Sequence, residues 1–126
     1  MTRPYKDRAG VAVQQTGYAN ARSVVDWLAA QMATGQLASP LSSLVISGCS
    51  AGSIGAQVWA DHALTRLAHS AAAVVPDSYA GVFPKHAEGR LIADLGFCDS
   101  PLLAPLSASI RADCVAHRLS LHAITA

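Results

Sequence analysis

Charge is scarce in this chain. Only 13% of its 126 residues are charged, the net charge is +1 with histidine neutral, and the basic residues form no cluster. An electrostatic footprint for nucleic acid is therefore missing. Long apolar runs are missing too. None approaches the ~18 residues that span a bilayer, so no membrane partner is expected. Residues 1–8 are polar and charged with no apolar stretch behind them, and no signal peptide is visible. Cysteine is limited to Cys49, Cys98 and Cys114, with no C-x-x-C pair. Among the five histidines only His117 and His122 approach zinc-ligand spacing, and they have no cysteine partners nearby. The expectation is no metal and no cofactor. Internal repeats are absent, as are low-complexity tracts beyond alanine richness. What remains is a chain that is 52% hydrophobic, enough for a core and too much for disorder, of a length that allows one domain.

One stretch stands out. Leu44, Val45 and Ile46 read as a buried strand that breaks at Gly48, and a helix-compatible run follows Ser50. Gly48-Cys49-Ser50-Ala51-Gly52 between them fits the G-x-S-x-G nucleophile elbow. A sharp strand-to-helix turn would hold Ser50 with its hydroxyl projecting above the sheet. Side chains at positions 48 and 52 are expected to collide with neighbouring backbone, which accounts for both glycines. The Ala51 N–H would open the helix, where the macrodipole favours a developing oxyanion. Cys49 is expected to be a small buried filler.

In chain order, residues 1–9 read as an irregular lead-in and 10–15 as a strand. A helix is expected from the Gly17–Asn20 turn to about Ala33. Its apolar face is Val24, Val25, Leu28 and Met32, with Trp27 also in the core and Gly35 near the C-cap. The elbow strand spans 43–47. The next helix runs from Ala51 to about Ala68, with Ile54, Val58, Leu64 and Leu67 on its buried side. Asp61 and His62 lie too far along it to reach Ser50, since a helix rises about 1.5 Å per residue, and read as surface groups. His69 near its end reads as structural. A further strand over 71–75 leads into Pro76-Asp77-Ser78. If the strands are parallel, Asp77 lies on the same sheet edge as the elbow and is a candidate acid; capping of the following turn is its other reading. Short helices are expected over 87–95 and 107–117, and Ser120 is placed to cap a last one. Cys98 and Cys114 have two readings, a disulfide across a short loop or free thiols. Strand, helix, strand, helix, strand points to an α/β chain with a mostly parallel sheet of few strands. The division is 1–9 lead-in, 10–95 core and 96–126 irregular or helical tail.

Several blocks together resemble a known family. They are Gly17-Tyr18-Ala19-Asn20-Ala21-Arg22, Val25-Asp26-Trp27-Leu28, Ser47-Gly48-Cys49-Ser50-Ala51-Gly52-Ser53, Asp77-Ser78 with Gly81, and Gly96-Phe97-Cys98-Asp99-Ser100-Pro101 followed by Cys114 and Leu119-Ser120-Leu121-His122. In order and approximate spacing this resembles the pectin acetylesterase/Notum family of serine carboxylesterases, from about Val11 onward. The resemblance implies a partial α/β-hydrolase three-layer sandwich, deacylation of acetylated carbohydrate or another acyl ester, and secretion. It makes Ser50 the nucleophile and Ala51 the oxyanion donor. The family's triad acid and histidine lie further downstream and match no segment here. The resemblance therefore implies an internal piece of a hydrolase, weakly active or inactive alone. Local substitutes would be Asp77 as acid and His86, His117 or, last, His122 as base.

Two other readings stand beside it. Gly48, Gly52 and Gly55 after a strand, with Asp77 after the next, mimic a dinucleotide fingerprint. Against this, one glycine of the pattern is missing and Ser50 places a Cβ where a pyrophosphate would approach. The third reading is a non-catalytic remnant that self-associates through exposed sheet edges.

Overall fold

The computed structural model describes residues 3–84, 87–103 and 107–125, and shows a mixed α/β chain. A hairpin comes first: β1 (Arg3–Lys6) pairs antiparallel with β2 (Ala12–Gln15). The irregular lead-in expected over 1–9 is thus corrected, from Arg3 on, to a strand and turn; residues 1 and 2 lie outside the described residues. The turn is built by Asp7. Its Oδ1 accepts the N–H groups of Ala9 and Val11, each at 2.9 Å, and its carbonyl accepts Gly10 N–H. This is an Asx turn closed by glycine.

Helix α1 (Gly17–Ala33) follows, then β3 (Leu44–Cys49), α2 (Ala51–Arg66) and β4 (Ala72–Asp77). β3 and β4 pair in parallel from Leu44↔Ala72 to Cys49↔Asp77, and α2 is their crossover. β2 does not join them. The single parallel sheet expected from three strands is replaced by a parallel pair and a separate hairpin.

Alternation along β3 half-buries Leu44, Ile46 and Gly48 and exposes Val45, Ser47 and Cys49. On β4 the inward residues are Val74 and Pro76. One sheet face packs on α2, and the other is open, with Val45 58% exposed. Cys49 belongs to the open face and is exposed, so the buried-filler expectation is overturned by strand register.

α2 is the central element because it has two working faces. Ser53, Ala56, Gln57, Ala60 and Ala63 are its buried stripe. These mostly small side chains recur at helical spacing and let the helix axis lie close to the sheet. Ile54, Val58 and Trp59 point elsewhere, against a cluster of Ile92, Phe97, Leu102, Leu103, Cys114, Leu119 and Leu121. The expected buried side of Ile54, Val58, Leu64 and Leu67 is therefore split, with Leu67 alone fully buried beyond the helix end. α1 buries Met32, whereas Trp27 and Val24 are exposed on its outer side, contrary to the core reading of Trp27 and the apolar-face reading of Val24. Asp26 ties α1 to α2 by accepting from Arg22 at 3.3 Å and Arg66 at 3.4 Å.

Apart from Ile92, the buried hydrophobic cluster comes from the stretch expected to be an irregular or helical tail. α3 (Ala87–Asp94) is followed by 3-10 turns at Phe97–Asp99 and Pro101–Leu103, then α4 (Ala108–Val115) and α5 (Leu121–Thr125). Ser107 caps α4 by accepting Ile110 N–H, and Ser120 does the same for Ala123 N–H in α5. Cys98 and Cys114 form a disulfide, which resolves the two readings of that pair. α4 ends in a Schellman motif: Arg118 N–H donates to Asp113 C=O and His117 N–H to Cys114 C=O. The motif puts His117 at φ 58°, a left-handed conformation that costs a residue with a Cβ. His117→Gly is expected to raise stability by roughly 0.5–1 kcal/mol, read as a higher midpoint in urea unfolding. A loss of stability would mean that the imidazole makes a contribution of its own.

Candidate functional site

Ser50 stands between β3 and α2 as the N-cap of α2. An N-cap serine usually has extended backbone and turns its hydroxyl onto the N–H groups of the first helical turn. Ser50 does neither. Its backbone is at φ 55°, ψ −118°, outside the regions open to L-residues, and its side chain makes no cap hydrogen bond. Ser53 serves the turn instead. Its N–H donates to Ser50 C=O at 2.9 Å, and its hydroxyl donates to the same carbonyl. The Ser50 N–H is held by Asp77 C=O at 3.1 Å, which pins the turn to the end of β4. The Ser50 hydroxyl is exposed and without a hydrogen-bond partner among the described residues. The Ala51 N–H, first in α2, has no acceptor among them either.

Gly48 makes this turn possible. A Cβ there would lie closer than 3.0 Å to the carbonyl oxygen and carbon of Gly52. Gly52 is different: a Cβ at that position meets nothing within 4 Å. The expected collision at both glycines is therefore corrected to one. The crowding is the approach of β3 to the Gly52 carbonyl, and only the Gly48 side faces it.

An open cavity of about 320 Å³ adjoins the serine. Ser50, Ala51 and Ile54 form one side; Ser78, Tyr79 and Phe83 belong to the other. Among the described residues no histidine and no carboxylate lines it. Asp77 is exposed, and its Oδ1 accepts the Ser78 hydroxyl at 3.4 Å. The Cys49 thiol donates to that same hydroxyl at 3.6 Å. Asp77 thus reaches Ser50 through its backbone, while its carboxylate serves the turn after β4. Of the candidate bases, His117 and His122 are exposed and outside the cavity lining, and His86 lies outside the described residues. His69 bonds the backbone two residues before it, Nδ1 standing 2.7 Å from Leu67 C=O. His62 is half-buried rather than a surface group. Its Nε2 is buried without a hydrogen-bond partner among the described residues, and its ring stands edge-on to Trp59 at 5.5 Å. No group of three His, Cys, Asp or Glu side chains able to hold a metal occurs among the described residues.

Tyr79 was not legible as a site residue. Its hydroxyl donates to Glu88 Oε1 at 2.8 Å, and that same oxygen accepts Leu121 N–H at 3.0 Å. Burial, then the hydrogen bond to Glu88 and its negative charge, push the phenol up from 10.0 to about 12. The fold therefore favours the protonated phenol. Its contribution to stability is complete below pH 10 and lost as pH rises toward 12. The stability difference between the native chain and Tyr79→Phe is expected to be flat below pH 10 and to close above it, as read by urea unfolding across pH.

Compared with known proteins, the chain matches no family model, and no curated protein and no solved structure aligns with it significantly.

Proposed function

We propose that the chain is a serine carboxylesterase module resembling the pectin acetylesterases, with β3-α2-β4 as the elbow unit of an α/β-hydrolase sandwich. Ser50 Oγ attacks an acyl carbonyl, an acetyl ester of a carbohydrate being the leading substrate. The Oγ–C bond forms as the carbonyl π-electrons move to oxygen, where the Ala51 N–H stabilises the charge. Expulsion of the alcohol, which takes up the serine proton, leaves an acyl-enzyme that water cleaves. The observation that carries this reading is an N-cap serine whose hydroxyl does not cap. The strained backbone withholds the oxygen from the helix and leaves it beside a cavity. Strain of this kind persists where a function needs it. Without a base hydrogen-bonded to the serine the nucleophile is weak, so turnover by these residues alone is slow. The test is hydrolysis of p-nitrophenyl acetate by the purified chain beside Ser50→Ala. A Ser50-dependent rate supports the reading; equal rates overturn it.

A dinucleotide-binding module is the second reading. The observation that favours it is the register Cys49↔Asp77, which stands an acid at the end of the strand next to the glycine turn. Ser50 opposes it, because its side chain occupies the mouth of the turn. Thermal stabilisation by NAD in place of Ser50-dependent hydrolysis would favour it. A non-catalytic, self-associating remnant is supported by the open sheet face, since parallel strands are usually covered on both sides. Sedimentation of the chain over a concentration series tests it.

A further inference from the structure

The wall facing Ser50 is hydrogen-bonded to the rest of the fold at one point among the described residues. Residues 79–83 pass from the end of β4 across the cavity, and Gly81 among them has φ 66°. Within 79–83, the Tyr79 hydroxyl makes the one hydrogen bond formed among the described residues, to Glu88. The Tyr79 ring packs on its own strap and against the buried cluster: its Cε1 would lie 3.5 Å from a Cβ at Gly81, and its centroid is 6.0 Å from that of Phe83. Glu88 sits in the first turn of α3 and is fixed from the other side by Leu121 N–H of α5, a fully buried residue of the disulfide-bonded cluster. The strap is therefore held to the core by the packing of the Tyr79 ring on the buried cluster and by one hydrogen bond, through a carboxylate oxygen that is itself fixed to α5.

We infer that Tyr79 and Glu88 form a latch that positions the 79–83 strap over the Ser50 cavity and so limits the size of group that reaches the serine. Its effect on chemistry rests on the reading of Ser50 as nucleophile; its mechanical part does not. Tyr79→Phe removes the donor and leaves the ring. Glu88→Gln keeps an amide oxygen able to accept from both Tyr79 and Leu121 and serves as the conservative control. The open state of the strap is sampled by chymotrypsin, which cuts after aromatic residues and, in the fast-reclosing regime, follows the open population. Loss of a hydrogen bond to a charged acceptor is expected to raise cleavage within 79–83 about tenfold in Tyr79→Phe, and loss of the charge alone in Glu88→Gln only about threefold. The second readout is the rate at which Ser50 is phosphorylated by a small probe, diisopropyl fluorophosphate, and by a biotin-tagged fluorophosphonate. The bulky-to-small ratio rises in Tyr79→Phe and rises less in Glu88→Gln, whereas general destabilisation would move both probes together. Native-like cleavage of a folded Tyr79→Phe, or equal acceleration in both variants, overturns the latch. Failure of both probes on every form overturns the nucleophile reading instead, and cleavage alone then decides the latch.

Discussion

Gly48→Ala is expected to cost more than about 3 kcal/mol, a large part of the stability of a domain this size, and to leave little soluble folded protein. The added methyl would fall on the Gly52 carbonyl, and neither partner can yield cheaply. Gly48 is held in register by its pairing with Pro76 on β4, and Gly52 is in the first turn of α2, whose buried stripe rests on the sheet. Relief would require lifting the helix from the strands and giving up the packing of Ala56, Ala60 and Ala63. Gly52→Ala is the matching control. A Cβ there enters open space, and alanine is the better helix former, so a gain of up to about 1 kcal/mol is expected. Soluble yield and urea midpoints of the two variants give the answer. Equal tolerance at both positions would contradict the close approach on which the turn is built.

Removing the Cys98–Cys114 bridge is the second large effect. The two residues are 16 apart in sequence, and closing a loop of that size restricts the unfolded chain by about 3 kcal/mol. Cys114 is also wholly buried within the cluster that receives Ile54, Val58 and Trp59 of α2. A Cys98→Ser, Cys114→Ser double variant loses the cross-link and places a hydroxyl among leucines. The expected loss is roughly 3–5 kcal/mol, seen as a lower midpoint in urea against the oxidised chain. Reduction without substitution isolates the cross-link. A loss under about 1 kcal/mol in both experiments would mean that the cluster is held by packing alone.

These effects separate what the chain reveals locally from what it reveals only when folded. The β-branched run ending at Gly48, the end of α1 at Ala33, the start of α4 near Ser107 and the cap Ser120 were legible because each rests on neighbours a few residues away. The hairpin at the start has a local signal as well, Asp7 followed by Gly10, but it lies in a charged stretch without the apolar alternation that marks a strand. The exposure of Cys49 was not legible. Alternation says that it shares a face with Val45 and Ser47, but not whether anything covers that face. The different needs of Gly48 and Gly52 depend on the direction from which strand and helix approach, which a symmetric pattern conceals. Tyr79 and Glu88 had no signal, since nothing in their spacing predicts that one carboxylate oxygen would serve both a strap and the start of α5.

At the candidate site the motif was legible and its partners were not. Asp77 arrives beside the turn as parallel pairing requires, yet it offers its carbonyl to Ser50 and its carboxylate to Ser78. His117 is committed to ending α4. The distinction that matters is between a serine that caps a helix and one that has been withheld from it, and that distinction lies in a single pair of backbone angles.

The most direct measurement of the central claim is reaction of the folded 126-residue chain with a fluorophosphonate, followed by peptide mapping, beside Ser50→Ala. One adduct is expected, on Ser50, absent from the alanine variant and from chain unfolded in urea. A folded chain that takes no adduct, or takes it on other hydroxyls equally, would contradict the assignment of Ser50 as a nucleophile.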